Sequence, residues 1–292
     1  MNFLQLKYFV AVCEFGTVSA AANYLHIAQP SLSLAIKELE EEFGALLFHR
    51  RHKGMAPTEE GELLLGMARD ILERAEAAER IMKDVGENKK TLKIGIPPMI
   101  ASLILPTLYK DFVSENPDIT LDITEGGREE LVKMVEDDRL DLAFISHSKL
   151  PDGELEFLHI DTLNIVCAAS GESPVSKKRE VSPSDLKDVP VVMYKDGFFQ
   201  SGEIKSWFSS KGIEPKILMK TNQLSTMTKI ISSNTAIGFL FEKLIEKESG
   251  LTEVKLSPCI TAEISLIWKK KNFSVTGIKR LKAFLKNTNI FR

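Results

Sequence analysis

Thr17-Val-Ser-Ala-Ala-Ala-Asn-Tyr-Leu-His-Ile-Ala-Gln-Pro-Ser-Leu-Ser-Leu-Ala-Ile-Lys-Glu-Leu-Glu40 reads as two short helices joined by a tight turn. Thr17 and Ser19 both suit the cap of the first helix, because a short side-chain oxygen accepts from the unpaired N–H groups of an opening turn. Ala21 and Leu25 share one face, and the small pair Ala21-Ala22 lets a second helix cross closely. Pro30 fits the opening turn of that second helix, where its missing N–H costs nothing. Leu32, Ala35, Ile36 and Leu39 then form an apolar stripe at helical spacing. The opposite face carries Gln29, Ser31, Ser33 and Lys37. Short polar groups beside one cation suit base edges and phosphates in a major groove.

On the N-terminal side, Phe3, Leu6, Phe9, Val10 and Cys13 recur at three- and four-residue spacing, and Gly16 supplies a stop. The second helix of the pair runs from about 29 to 43 and stops at Gly44. Beyond it, two short apolar pieces flank Arg50, Arg51, Lys53 and the turn residue Gly54, the pattern of a two-stranded wing with a basic tip. Thr58 then reads as a cap followed by Glu59 and Glu60, acids suited to a helix N-terminus. Leu64, Met67, Ile71, Ala75, Ala78, Met82 and Val85 step by three and four, close to a coiled-coil seam. Such a helix extends roughly 40 Å, more than a small domain needs, and is expected to pair with a second copy. Residues 86–90 read as a polar hinge.

From Thr91 the pattern becomes strand–helix alternation, which implies a parallel, helix-covered sheet. Strands are expected at 91–96, 119–124, 140–145, 164–169, 189–193 and 236–240, with helices at 101–112, 128–137, 201–211 and 223–232. A last strand at 264–268 and helix at 275–285 lack partners nearby in sequence. They are expected to return to the first block, giving two lobes joined by two crossings.

The 292 residues are 43% apolar and 27% charged, an ordinary globular composition with room for more than one domain. No apolar run is long enough for a membrane span, and the N-terminus has no secretory pattern. The expected location is the cytoplasm. A net charge of −3 argues against a general nucleic-acid coat but not against a small reading head. Cys13, Cys167 and Cys259 fit neither an even disulfide framework nor a metal motif. His147 beside Ser146 is the one pair that suggests catalysis, and no G-x-S-x-G turn or metal spacing supports it.

The first 66 residues closely resemble the LysR-type transcriptional regulators. The resemblance rests on Leu4, Leu6, Phe9, Val12, Gly16, Ala21, Ala22, Leu25, Gln29-Pro30-Ser31, Ser33, Ile36, Leu39-Glu40, Gly44, Leu47-Phe48, Arg50, Thr58 and Gly61. Weaker motifs continue it in order to the end: Lys93-Ile-Gly-Ile, Leu105-Pro, Phe112, Asn116-Pro117, Asp141-Leu-Ala and Ala236-Ile-Gly-Phe-Leu. It implies an N-terminal all-α winged helix-turn-helix at 1–58 and a linker and dimerisation helix at 59–88. An α/β two-lobed, periplasmic-binding-protein-like effector domain follows at 89–292. Lobe I would take about 91–161 and 265–292, and lobe II about 162–264. The implied partners are double-stranded DNA, a small-molecule effector, further copies in a homodimer or homotetramer, and RNA polymerase. Neither a cofactor nor a metal is implied. The residues expected on DNA are Thr17, Ser19, Gln29, Pro30, Ser31, Ser33, Lys37, Arg50, Arg51 and Lys53.

Two departures weaken the single head. Ala28 cannot cap the reading helix where the family often has Ser or Thr, a loss of about 1 kcal/mol. Leu34 stands where Arg is frequent. In two-lobed sheets ligands bind beyond the carboxyl ends of the strands, which here selects Pro98, Met99, Ile100, Gly127, Ser146, Phe199, Gln200 and Asn222. Carboxylate-binding relatives often have Ser or Thr where Met99 stands. The expected effector is therefore a small organic anion or a partly apolar metabolite. Two alternatives stand beside it: a redox-responsive regulator using Cys167 and Cys259, and an enzyme carrying a helix-turn-helix head.

Overall fold

Asn2 opens the first helix with a reciprocal cap, its side chain accepting from the Gln5 backbone while Gln5 reaches back to the Asn2 N–H. The computed structural model describes residues 1–51, 54–87, 90–150, 155–245, 250–270, 275–288 and 290–291. They fall into two compact units, Met1–Met82 and Lys83–Arg292. In the first, helices α1 (Phe3–Phe15), α2 (Val18–Tyr24) and α3 (Gln29–Phe43) precede the antiparallel strands β1 (Phe48–Arg51) and β2 (Gly54–Pro57). Gly16 and Gly44 end α1 and α3 in the left-handed region, which glycine enters at no steric cost. Thr17 caps α2 by accepting from the Ala20 N–H at 3.1 Å. Ala28 caps nothing.

Leu6, Phe9, Val12, Ala21, Ala22, Leu32, Ile36 and Leu39 make one core. Of the expected first stripe Phe3 is exposed, Val10 and Cys13 pack half-buried against this core, and Leu6 and Phe9 belong to it. The wing is docked on it by Phe9 against Phe48, ring centroids 5.3 Å apart. The Met55 N–H also donates to the Gly16 carbonyl at 2.7 Å. Helix α4 (Glu59–Glu87) starts at Thr58, whose hydroxyl donates to the Leu46 carbonyl and accepts from the Gly61 N–H. Leu64, Ala68 and Leu72 of α4 are buried in the same core. Leu64 thus faces the head, and its expected place in a free seam is corrected. Ile71 and Ala75 are half-buried, while Met67, Ala78 and Met82 are exposed.

In the second unit, β3 (Lys90–Ile96), β4 (Ile119–Glu125) and β5 (Leu142–His147) are parallel, with α5 (Pro98–Thr107) and α7 (Arg128–Glu136) as crossovers. The expected helix at 101–112 is divided. It widens into a π-turn at Leu108–Phe112, after Pro106, and ends in one further turn, α6 (Val113–Glu115). Strand β6 (Leu155–Ser170) is the long crossing, and the chain continues through β7 (Glu180–Val181), β8 (Val191–Tyr194), α8 (Phe199–Ser209), β9 (Ile217–Thr221) and α9 (Leu224–Ser232). Then come β10 (Gly238–Phe241), α10 (Glu242–Ile245), β11 (Leu251–Leu256), β12 (Ile260–Lys269) and α11 (Val275–Asn287).

The sheet order is β4-β3-β5-β12-β6-β11-β7, with β10 also on β6 and β8 on β9. Strand β12 pairs antiparallel with both β5 and β6, and β10 and β11 pair antiparallel with β6. The sheet is therefore mixed rather than all parallel, because the returning strand lies between its neighbours in reverse. Residues 155–165 of β6 pair with β12, and residues 165–170 pair with β10 and β11. Among the described residues no helix is long and apolar enough to cross a membrane.

Candidate functional site

The reading helix presents Gln29, Pro30, Ser31, Ser33 and Lys37 as exposed residues opposite its buried stripe. Ser19, exposed on α2, donates to the Gln29 side-chain oxygen at 3.1 Å, which fixes how α2 meets the first turn of α3. Lys37 pairs with exposed Glu41 on its own helix, 3.2 Å away, a contact worth little in water. Thr17 is half-buried and occupied as a cap, so its place is at the base of the wing. Arg50 and Arg51 lie in β1, in register with Met55 and Gly54. Lys53 lies outside the described residues.

The second candidate is built from strand ends. Strands β3, β4 and β5 finish at Ile96, Glu125 and His147, and β8, β9 and β10 at Tyr194, Thr221 and Phe241. Between these ends lies a cavity whose apolar walls include Pro98, Met99, Phe198, Phe199 and Phe241. Its polar lining is Arg128, Ser146, Tyr194 and Gln200. Its free interior is about 20 Å³, room for roughly one water molecule. Tyr194 and Phe198 stack at 5.0 Å across one wall.

Five expected residues meet here: Pro98, Met99, Ser146, Phe199 and Gln200. Ile100 does not, because it points into the core and is fully buried. Asn222 lines a separate open groove with Gln223, Leu224 and Ser225 on one side and Pro98 and Tyr109 on the other. Gly127 acts by close approach instead. A Cβ on it would stand 2.7 Å from the Gly197 carbonyl oxygen across the cleft. The sequence reading missed Arg128, Tyr194 and Phe241. Two of these end strands, and the third opens a helix directly after Gly126-Gly127, so the strand-end rule carried further would have reached them.

Among the described residues, three polar atoms of this lining are buried without a partner: Arg128 Nε, Tyr194 Oη and Gln200 Nε2. Arg128 is oriented by its other end, Nη2 donating to the Lys149 carbonyl at 3.1 Å. Burial, and then the nearby Glu125, push the Tyr194 phenol upward, so it stays protonated. Lys205 and Lys220 hydrogen-bond Asp196 and hold its carboxyl down at about 2, bracing the loop before α8.

His147 does not join Ser146. Its Nε2 lies 2.9 Å from Ser265 Oγ on β12, and its Nδ1 is buried with no partner among the described residues. Burial, then Arg128, lower its pKa. Among the described residues no group of His, Cys, Asp and Glu is arranged to hold a metal. The redox reading meets a physical obstacle. Cys167 is fully buried between β10 and β11, and desolvation pushes its thiol up to about 12, away from the reactive thiolate.

Residues 3–62 match the family model for the bacterial regulatory helix-turn-helix protein, lysR family. Residues 86–289 match that for the LysR substrate binding domain. An uncharacterized HTH-type transcriptional regulator of Bacillus subtilis (strain 168), YwbI, is 27% identical over 280 residues, 94% of this chain and 92% of that protein. The hydrogen peroxide-inducible genes activator of Haemophilus influenzae is 26% identical over 268 residues, 91% of this chain and 88% of its own. Among solved structures, full-length CbnR complexed with its target DNA aligns with a TM-score of 0.75 at 22% identity, over 98% of this chain and 99% of that one. That likeness is one of fold.

Proposed function

Since the chain belongs to the LysR family of DNA-binding transcriptional regulators, we propose that α3 and the wing read an operator under the control of a small molecule held between the lobes. The observation that carries the control half is the cavity at the converging strand ends, with its buried and unpartnered polar atoms. On the DNA side, Gln29, Pro30, Ser31 and Ser33 face base edges. Ser19, Lys37, Arg50, Arg51 and Lys53 hold phosphates, and Thr17 sets the wing. Lobe rearrangement on ligand binding is passed to paired heads, in a homodimer or homotetramer joined through the exposed side of α4. The regulator works in the cytoplasm, with RNA polymerase as its downstream partner, and catalyses no reaction. That its relatives are regulators supports the last point.

The test uses the full chain and an operator selected in vitro from random duplexes. Lys37→Ala should weaken binding to selected and unselected sequences alike and reduce the salt slope by about one. A small-molecule cell extract should shift the footprint. An unchanged slope counts against the DNA assignment, and a footprint indifferent to every extract fraction counts against ligand control.

A further inference from the structure

We propose that Glu40 is a positioning residue whose carboxylate sets the wing against the reading helix, so that one head presents both to a duplex. This rests on the reading of α3 and the wing as the DNA contacts, and names the group that holds them in one geometry.

The last turn of α3 carries Glu40, Glu41 and Glu42 and no cation, an arrangement the helix dipole disfavours. Glu41 is answered by Lys37, and Glu42 by the N-terminal amine. Glu40 is half-buried and grips backbone instead. Its Oε1 accepts from the Leu47 N–H at 2.8 Å and from the Phe48 N–H at 3.4 Å. Its own carbonyl accepts from the Ala45 N–H at 3.2 Å, which holds the turn in between. Hydrogen bonds to a carboxylate are roughly twice as strong as neutral ones, so this is a firm clip for a strand start.

The gripped segment is a junction of three elements. Leu47 has its N–H held by α3 and its side chain, 2% exposed, in the core of the head. Its carbonyl accepts from the Thr58 N–H at 3.0 Å, and the Thr58 hydroxyl donates to the Leu46 carbonyl at 2.7 Å, directly before α4. The first turn of α4 lies so close that a Cβ on Gly61 would stand 2.2 Å from the Leu47 oxygen. Phe9 and Gly16 tie the wing to α1 and its cap, whereas Glu40 ties it to the reading helix itself.

Strand β1 starts at Phe48, so Arg50 and Arg51 follow the clip by two and three residues. From residue 48 to residue 51 the backbone advances about 10 Å. A tilt of about ten degrees at Phe48 therefore moves the far end roughly 2 Å, more than a hydrogen bond to phosphate tolerates. Losing the clip should cost the wing its contacts while α3 keeps its own.

The experiment compares footprints of the full chain on an operator selected in vitro. Backbone protections lost on joint Arg50→Ala and Arg51→Ala substitution define the wing set, and base protections lost in Gln29→Ala define the α3 set. Glu40→Ala should lose the wing set and keep the α3 set, with affinity about tenfold lower and the salt slope reduced by about two per head. Glu40→Gln, which keeps an acceptor oxygen, should recover part of the wing set. Leu64→Ala loosens the same core without touching the clip. It should melt lower yet keep both sets at a temperature where it is folded. Parent-like wing protection and salt slope in Glu40→Ala overturn the proposal, as they do in Glu40→Gln should the alanine variant not fold. Leu64→Ala losing the wing set alone also overturns it, since general loosening would then suffice. If the double arginine variant loses no protection, the wing reading falls and the proposal with it. If that variant loses protections that Glu40→Ala keeps, the role of Glu40 falls and the wing reading stands.

Discussion

At the scale of a single residue, His147 links the ligand cleft to pH. Burial and then Arg128 disfavour its charged form, while Glu263 opposes them from the neighbouring strand. The folded chain thus holds the imidazole neutral at a pH where the unfolded chain, with a pKa of about 6.5, begins to take up a proton. Where the unfolded state binds more protons, acid favours unfolding. Stability from this residue is therefore intact above about pH 6.5 and is lost as pH falls from there toward the lower folded value. His147→Gln removes the titration and keeps a donor for Ser265. Its melting temperature should drop less than the parent's between about pH 7.5 and pH 5.5. Parallel drops in the two proteins would show that other groups set the acid limit.

At the scale of elements, α4 carries two apolar stripes that a three-four repeat cannot tell apart. Leu64, Ala68 and Leu72 bury against the head, while Leu63 and Met82 are 67% and 69% exposed. The periodicity is legible, but which partner each stripe meets is a tertiary matter: spacing assigns Leu64 to the pairing stripe, while burial assigns it to the head. Leu64→Ala should cost the head about 2–5 kcal/mol. Met82→Glu should leave its melting unchanged and raise the concentration needed for self-association, as read by sedimentation. A Met82→Glu protein that associates like the parent would move the pairing surface elsewhere. The helix pair, the wing and strands β3, β4, β5 and β10 were legible because apolar period and turn residues agree there. The first half of β6, and β9 and β11, were not. Phe157 is 53% exposed and Leu218 50%, so the first half of β6 and β9 carry no clean inward alternation, and only their neighbours define them; β11 buries only Val254 and Leu256, too short an alternation to stand out. The cavity was half legible for a related reason. Strand ends can be counted from sequence, but that Arg128 and Tyr194 face each other's cleft depends on how the lobes fold over β6 and β12.

For the whole molecule, charge and geometry argue in the same direction. Residues 1–58 hold five cations, Lys7, Lys37, Arg50, Arg51 and Lys53, against five acids, Glu14, Glu38, Glu40, Glu41 and Glu42. Counterion release scales with the few phosphates such cations can touch, so one head alone is expected to bind less tightly than two acting together. Under the proposed function, what the ligand domain controls is the geometry of pairing, and its lobes are where geometry can change. They meet at Gly127 against Gly197, and Ser148 donates to Glu203 across the cleft at 3.2 Å. With about 20 Å³ free inside, anything larger than a water molecule enters only if these contacts give way and re-form. Gly127→Ala tests this directly. Its backbone, φ −76° and ψ 160°, suits alanine, so α7 should form normally. The new methyl group, however, would stand 2.7 Å from the Gly197 oxygen, a backbone atom that cannot swing aside. The lobes should part slightly, and amides at 126–130 and 195–199 should exchange faster while the rest of the sheet stays protected. Gly197→Ala provides the contrast, since its φ of 89° brings backbone strain with open space around the methyl group. If Gly127→Ala leaves both segments as protected as in the parent, the lobe contact is not held at these glycines, and ligand entry must be gated elsewhere.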